Sequence, residues 1–417
     1  MTASLAQPLP CCTEYAALSR RGLFTGAALV GATTMIGSAV VTASPASAAS
    51  ADSVLVVLSL RGAADGLSLV VPHADPVYYS ARPRIAIPAS ALLGKDAMFG
   101  LHPSLQPLMP LWESGRLAAV HATGLPAPNR SHFAAMEEVE DAAPGSETRS
   151  GWLNRLIGAG PGDSPLQGFN MSGGVVPTSL YGDESVMSAR DVESVGISGD
   201  DESDTQKSRR RSLHTLWDGN SSRLGRAMSA TFTAVNEFAP AQNTADNSNR
   251  YPSSDLGRAM AEAARVVRGD VGVEVITVDQ GEWDMHSDLG TLEWGAMRRN
   301  AEELAQAVGA FFTDLGSEAG KVTLVAFSEF GRRVKENSNL GLDHGYGNVM
   351  FVAGAGVKGG KYYGDWPGLT GDLDSDLLVT TDYRSVLSEI VTTRFGASRA
   401  SVFPGFAPET VGVMTSL

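Results

Sequence analysis

The segment Val54–Leu60, with the sequence VLVVLSL, decides the fold of this chain. It is a short, continuous apolar run rich in β-branched residues, which is typical of a buried strand in a parallel sheet. The sequence RGAADGL follows directly and places Asp65 just beyond the strand. Ligands of α/β sheets bind at the carboxyl ends of the strands, so Asp65 is a candidate functional carboxylate. Asp-Gly is also ordinary turn chemistry, and a simple turn role for Asp65 stays open.

Strand and helix patterns alternate along the rest of the chain. A helix pattern from about His102 to Ser114 leads into the apolar run Leu117–Ala122, and a second helix pattern begins at Phe133. Further patterns predict helices over 255–268, 292–316 and 381–394, and strands over 271–278, 321–327 and 348–353. This order predicts an α/β fold with a doubly wound, mostly parallel sheet. Residues 184–255 are polar, and we expect a helical or loop insertion or cap there.

The first 48 residues predict a signal peptide. Arg20 and Arg21 precede a mildly apolar stretch, which ends in the small-residue cleavage site Ala46-Ser47-Ala48. Paired arginines before weak hydrophobicity favour the twin-arginine route, which exports folded proteins to the cell envelope or the medium. An uncleaved membrane anchor is the alternative, although such a helix usually needs about 20 strongly apolar residues. We therefore expect a leader over 1–48 and one secreted domain over 49–417 without a membrane span.

Charge and cysteine content narrow the classes of function. The formal net charge is −14, and removal of Glu14, Arg20 and Arg21 with the leader changes it to about −15. Nucleic acids and anionic membrane surfaces need a basic face, so neither is an expected partner. Cys11 and Cys12 would also leave with the leader. The mature chain would therefore hold a metal ion only through histidine, carboxylate or neutral oxygen ligands.

The helix that begins near residue 132 offers three candidate catalytic residues. Arg130, Ser131 and His132 follow the strand pattern Leu117–Ala122. A serine at a helix start gains from the positive helix end and its free N–H groups, so Ser131 is a candidate nucleophile. Arg130 could clamp an oxyanion, and His132 could be a ligand, a base or a packed surface residue. A plain helix-capping role for Ser131 is the alternative.

The last third of the chain carries acid and histidine residues beside three further strand patterns. Asp284 and His286 follow one strand, Glu329 follows the next, and Asp343-His344 precedes the last. Alternate side chains of a turn can converge on one metal ion, and zinc accepts such nitrogen and oxygen ligands. Because these residues belong to one predicted sheet, they are interpreted as a metal site.

Structural roles for these residues stay open as alternatives. Glu329 could pair with Arg332 or Arg333, and His344 could make only a local hydrogen bond to a neighbouring acid. Four acid or histidine positions at the strand ends of one sheet nevertheless favour a shared functional site over separate structural roles. The candidate metal ligands are Asp65, Asp284, His286, Glu329, Asp343 and His344.

These residues stand in segments that resemble the DUF1501 family of secreted proteins. The segments cover nearly the whole predicted mature chain, and in order they are Leu60–Leu67, Arg130–Phe133, Ser150–Arg155, Val278–His286, Ser328–Arg332, Asp343–Asn348, Tyr363–Leu369 and Thr381–Arg384. The family is in turn similar to the alkaline phosphatase and sulfatase superfamily. That second resemblance implies an alkaline-phosphatase-like sheet.

The superfamily resemblance also implies roles for individual residues. Carried over by position, Asp65 resembles the first metal ligand and Ser131 the nucleophile. Asp284 and His286 resemble the acid and histidine pair of one metal, and His344 resembles its last histidine. The site would hold one or two divalent ions, with zinc expected first and calcium, magnesium or manganese as alternatives.

We therefore expect a secreted metal-dependent hydrolase of phosphate or sulfate esters, with an anionic ester as substrate. Ser131 would attack and Arg130 would bind the oxyanion. The chain has Ser328-Glu329 where the superfamily has an Asp-His pair, which leaves a single ion or an altered reaction open. The alternative is a non-catalytic secreted protein that binds an envelope glycan, a polymer or a partner protein on the same fold. A metal-free serine esterase is disfavoured because the chain has no G-x-S-x-G segment.

Overall fold

The computed structural model describes residues 33–36, 39–42, 50–146, 149–162, 164–172, 175–197 and 205–415. Its strands are β1 (Thr33–Ile36), β2 (Ala39–Thr42), β3 (Val54–Leu60), β4 (Val70–Val71), β5 (Gly100–Leu101), β6 (Leu117–Gly124), β7 (Gly168–Asn170), β8 (Met187–Ser188), β9 (Val275–Gln280), β10 (Val322–Phe327), β11 (Asn348–Gly354), β12 (Tyr362–Tyr363) and β13 (Thr381–Asp382).

The α-helices connect these strands and cover both faces of the main sheet. They are α1 (Gly66–Leu69), α2 (Pro76–Ala81), α3 (Met109–Glu113), α4 (His132–Asp141), α5 (Trp152–Ile157), α6 (Ser208–Trp217), α7 (Arg223–Glu237), α8 (Ala239–Gln242), α9 (Asp255–Arg268), α10 (Ala296–Asp314), α11 (Tyr383–Phe395) and α12 (Arg399–Val402). A 3₁₀ helix over Pro103–Leu108 precedes α3, where the sequence predicts one continuous helix.

The main sheet has the strand order β1-β2-β8-β7-β9-β3-β10-β11-β6-β12, and β13 also pairs with β6. The strands from β8 to β10 in this order run parallel to one another. Strand β11 lies between β10 and β6 and is antiparallel to both. The predicted α/β class and mostly parallel sheet are therefore confirmed, and β11 makes the sheet mixed.

Strand β3 shows why the sheet is buried on both faces. Its residues alternate between two apolar clusters: Val56 and Leu58 pack on one face, and Leu55 and Val57 pack on the other. Helices α9 and α10 cover the first face, and α4, α5 and α11 cover the second. A strand between two helical layers needs apolar residues on both sides, which explains the continuous apolar run.

The polar segment predicted as an insertion is largely helical after its first strand. Strand β8 lies inside 184–255 and pairs with β7, so the excursion from the sheet begins after it. Helix α6 then has no buried residue, whereas α7 is amphipathic. Among the residues that the structure describes, no helix is both long and apolar enough to cross a membrane.

Two strands lie within the predicted leader. β1 and β2 form an antiparallel hairpin, and β2 pairs with β8 at the edge of the sheet. The remaining leader residues, including the twin arginines and the predicted cleavage site, lie outside the described residues.

Candidate metal centre

Four loops meet at one edge of the sheet. Asp284 follows β9, Glu329 follows β10, His132 begins α4 beyond β6, and His344 precedes β11. Because β11 is antiparallel to β10, its start lies at the edge where the parallel strands end. Gly62, after β3, has a φ of 109°, and a Cβ there would lie 2.6 Å from the backbone nitrogen of Asp284. A glycine therefore lets these two loops touch.

Three of the predicted site residues form a group that could hold a metal ion. His132, Asp284 and His344 each offer one ligand atom, and these atoms lie within 4.8 Å of one another. His344 Nε2 is 3.0 Å from His132 Nε2 and 3.5 Å from Asp284 Oδ1, and His132 Nε2 is 3.6 Å from Asp284 Oδ1. Ligands about 2.0–2.1 Å from a tetrahedral zinc ion lie about 3.3–3.4 Å apart, so these separations suit such an ion.

His286 lies directly beside this group. Its Nε2 atom is 2.9 Å from His344 Nε2 and 3.1 Å from Asp284 Oδ1. Imidazole nitrogens at such distances satisfy one another only when one of them carries a proton. His286 thus contacts two of the three members but does not belong to the group of ligand atoms that all lie close together, and its predicted role as a ligand stays a prediction.

Each of the three imidazoles has a hydrogen-bond acceptor at its Nδ1 atom, on the side of the ring away from Nε2. Glu329 Oε1 lies 2.7 Å from Nδ1 of His132, Asp343 Oδ1 lies 3.2 Å from Nδ1 of His286, and a backbone carbonyl, that of Arg130, lies 2.9 Å from Nδ1 of His344. An acceptor at Nδ1 favours the tautomer with its proton there, which leaves the Nε2 lone pair for a metal ion. The three rings are thus oriented for coordination.

Glu329 supports a ligand instead of facing the centre itself. The residue is 2 % exposed, and its Oε1 accepts the backbone N–H groups of Gly62 and Ala63 at 2.9 and 3.1 Å. Its Oε2 accepts the Ser328 hydroxyl at 2.8 Å. These donors occupy the carboxylate, so the structure places Glu329 behind His132. Asp343 is placed in the same way behind His286.

A buried guanidinium, that of Arg332, holds Asp284. Arg332 is 1 % exposed and donates to Asp284 Oδ1 at 2.7 Å. It also donates to the carbonyls of Ala63 and Leu342. The alternative in which Arg332 pairs with Glu329 is therefore wrong, because its nitrogens are committed to Asp284 and to the backbone.

The hydrogen bonds of the group shift its titration. Burial opposes the imidazolium of His132, but the bonds with Asp284 and Glu329 prevail and raise its pKa to about 9. The bond with Asp284 raises the pKa of His286. Burial of Asp284 favours its neutral form, but the histidines and Arg332 hold the pKa of this carboxyl far below its usual range.

Asp65 is not brought to this group. Arg82 binds it bidentately, with Nη1–Oδ2 and Nη2–Oδ1 distances of 2.5 and 3.0 Å, and both side chains are buried. Arg82 also donates to Ser68 and to the carbonyls of Arg333 and Val334. Because both of its oxygens are taken by a cation of the protein, the geometry does not support the predicted role of Asp65 as a metal ligand. No sequence pattern pointed to Arg82.

The remaining candidates flank the centre. Ser131 occupies the N-cap position of α4 without the usual side-chain capping bond, and its N–H donates to Asn129 Oδ1. The Arg130 guanidinium is exposed and pairs with Asp376. Arg130 therefore contributes its carbonyl to His344, while its charged group points to another partner.

A cleft of about 530 Å³ opens beside His132 and Asp284. It is walled by apolar side chains on α4 and by charged side chains on β9 and on the loops after β3, β9 and β10. The residues lining it are Arg61, Gly62, His132, Phe133, Met136, Asp279, Gly281, Glu282, Asp284 and Glu329. A metal ion in the group would thus face a space large enough for a small substrate.

Comparison with known proteins agrees with the motifs. No curated protein matches this chain. Among the solved structures that match is "Crystal structure of Ps i-CgsB", which is 10 % identical with a TM-score of 0.36 and covers 85 % of this chain and 74 % of that one. A likeness at this level fixes neither fold nor function. The family model described as "Protein of unknown function (DUF1501)" matches residues 52–385. The chain therefore belongs to the DUF1501 family.

Proposed function

We propose that this chain is a secreted metal-dependent hydrolase of phosphate or sulfate esters. The observation that carries the proposal is the orientation of His132, His286 and His344, each with Nδ1 at an acceptor and Nε2 near Asp284 Oδ1. Rings that only packed against each other would not need three separate supports. A group built in this way suits a resident cation.

A single ion, with zinc as the first choice, fits the donors better than two. The available set is imidazole nitrogen and one carboxylate, which zinc favours over calcium or magnesium. Asp65 is occupied by Arg82, and Glu329 by backbone N–H groups, so neither offers a second ion a free carboxylate. When bound, such an ion supplies Lewis-acid polarisation of the ester and stabilises its developing charge.

The chain would supply binding, attack and orientation. Ser131, next in sequence to the ligand His132, is the proposed nucleophile, and its hydroxyl makes no capping bond to the helix. The first N–H groups of α4 would bind an anionic ester group. Arg130 would join them by exchanging Asp376 for the substrate, which its exposed position permits.

The alternative, a non-catalytic binding protein, draws on a different observation. Asp279 and Glu282 are exposed and line the cleft. Asp279 is paired with Arg61, so Glu282 is the carboxylate that opposes the approach of an anionic ester. A neutral glycan or a partner protein would not meet this opposition.

Metal analysis combined with an ester panel tests the proposal. We expect about one zinc ion per chain in protein exported by its native route, and metal-dependent cleavage of a phosphate or sulfate ester such as the p-nitrophenyl compounds. His344→Ala should lose both the ion and the cleavage. His214→Ala is the matched control, because His214 is a half-buried residue of α6 that contacts Asp218 and the ring of Phe232 and lies outside the metal-binding group.

The serine is tested separately from the ion. Ser131→Ala should keep the ion and lower kcat by about 10²-fold or more. Metal-loaded protein that cleaves no member of a broad ester panel would support the binding protein instead. An ion retained in His344→Ala would contradict the assignment of the centre.

A further inference from the structure

The charges that line the cleft beside the metal-binding group are not balanced. Arg61 binds Asp279 with an Nε–Oδ1 distance of 2.9 Å and Glu140 with an Nη2–Oε1 distance of 2.7 Å, so its charge is already matched by two carboxylates. Glu282 also lines the cleft and is exposed. Within the described part of the chain, no basic side chain pairs with the Glu282 carboxylate. The cleft therefore keeps an uncompensated negative charge outside the metal-binding group.

The backbone of Glu282 is fixed in an unfavourable conformation. Its φ is 66°, a region that glycine adopts freely but that strains a residue with a side chain. The side-chain amide of Asn300 holds this turn by donating to the carbonyls of Gly281 and Glu282 at 3.4 and 2.8 Å. Strained residues cluster at ligand-binding sites. The conformation therefore supports a role for Glu282 in binding a ligand of the cleft.

The same cleft has an apolar wall on helix α4. Phe133 and Met136 are three residues apart in this helix, so they lie on one face of it. Phe133 is 40 % exposed and lines the cleft, which leaves part of its ring open to a ligand. An aromatic ring attracts a cation that lies within about 6 Å of its centroid, and quaternary ammonium groups are bound in this way. The polarizable thioether of Met136 suits the same kind of group.

The unpaired carboxylate and the apolar wall together indicate the charge of the alcohol part of the substrate. Glu282 repels a purely anionic ester but attracts a cation that is attached to it. A quaternary ammonium group carries no N–H, so an apolar wall leaves none of its atoms without a hydrogen-bond partner.

We propose that the substrate is a zwitterionic ester, whose alcohol part carries a quaternary ammonium group bound by Glu282 and Phe133. Its phosphate or sulfate group lies at the metal-binding group. This inference rests on the proposed hydrolase function and makes Glu282 and Phe133 residues that determine specificity. The carboxylate that opposes a simple anionic ester then favours this one.

Two esters of the same shape test this substrate class. Phosphocholine carries a trimethylammonium group, and 3,3-dimethylbutyl phosphate has a neutral carbon in place of the nitrogen. Release of inorganic phosphate by metal-loaded protein gives kcat/KM for each ester. We expect phosphocholine to be preferred about tenfold or more, because the attraction of Glu282 and Phe133 acts on the charge. The sulfate esters of the same two alcohols are compared in the same way.

Glu282→Gln separates the effect of charge from general damage to the site. The variant should lower kcat/KM for phosphocholine and raise it for the neutral ester, because loss of the carboxylate also removes its repulsion of the phosphate. Phe133→Leu, which keeps the wall apolar, should reduce the preference about two- to threefold. Glu293→Gln, at an exposed glutamate outside the cleft, is the matched control and should keep the full preference.

Binding distinguishes this inference from the proposed hydrolysis. Zinc-loaded Ser131→Ala should bind phosphocholine about tenfold more tightly than 3,3-dimethylbutyl phosphate in calorimetric titrations. If this difference is found but no ester is cleaved, the proposed hydrolysis is wrong and the selectivity of the cleft stands. If both esters are bound and cleaved equally well, or if Glu282→Gln leaves the preference unchanged, the inference is wrong and the proposed hydrolase is unaffected.

Discussion

Asp65 and Asp284 both lie just beyond central strands of the same sheet, and each is bound by a buried arginine. Asp65 is enclosed: both of its oxygens meet Arg82, and the pair is sealed from solvent. The side chain of Asp284 is 32 % exposed and shares one oxygen between Arg332 and three histidines. A buried ion pair with every group satisfied holds structure together. A carboxylate that is held by arginine but still open to a cleft and to imidazoles is prepared for a ligand.

The largest expected effect comes from removing the arginine of the buried Asp65–Arg82 pair. Arg82→Met would leave Asp65 buried without a counter-charge, and the free energy of unfolding should fall by about 3–5 kcal/mol. Metal content per folded molecule should not change. Denaturant unfolding and elemental analysis of the folded fraction measure these two quantities.

The double variant sharpens this test. Asp65→Leu combined with Arg82→Met removes both charges and should recover much of the lost stability. If Arg82→Met instead kept its stability but altered metal content, Asp65 would belong to the metal centre after all.

The next largest effect concerns Glu329 and Asp343, the carboxylates that lie at the Nδ1 atoms of His132 and His286. Glu329→Gln keeps the shape of the side chain but weakens the acceptor at Nδ1 of His132, so the affinity for zinc should fall about 10–100-fold. Competition with a chromophoric chelator measures this affinity. Asp343→Asn is the comparison, because the side chain of Asp343 is 61 % exposed and its bond to His286 is longer. We expect a smaller loss there, and an equal loss would show that burial of the support is unimportant.

The meeting of loops at one edge could be predicted from the sequence, but the role of each residue could not. Parallel strands end at a common edge, so acid and histidine residues after β9 and β10 had to lie near one another. The partner of Asp65 is 17 residues away in a proline-rich loop, where no periodicity reports on contacts. The contact of Glu329 with the backbone also depends on Ala63. The φ of Ala63 is 58°, a conformation that its residue type does not indicate.

The direction of the interior antiparallel strand β11 could not be predicted from the sequence either. The apolar run of β11 is as continuous as those of β3 and β10, because all three are buried on both faces. Direction is set by the length and path of the connection, which hydrophobic pattern alone does not encode. This direction is what brings His344, at the start of β11, to the edge where the other strands end.

The smallest effect is a dependence of stability on pH in the metal-free protein. The pKa of His132 is raised from its ordinary value of 6.5 to about 9 by Asp284 and Glu329, against the effect of burial. A raised pKa in the folded state stabilises the protein fully below pH 6.5, and this stabilisation is lost as the pH rises through about 9. The melting temperature of chelator-treated protein should therefore fall across this interval more steeply than that of His132→Gln. With zinc bound, the trend should reverse at the lower end of the interval, because coordination requires the neutral ring and competes with protons. Parallel slopes for the two metal-free proteins would show that His132 is not held as an imidazolium between these carboxylates.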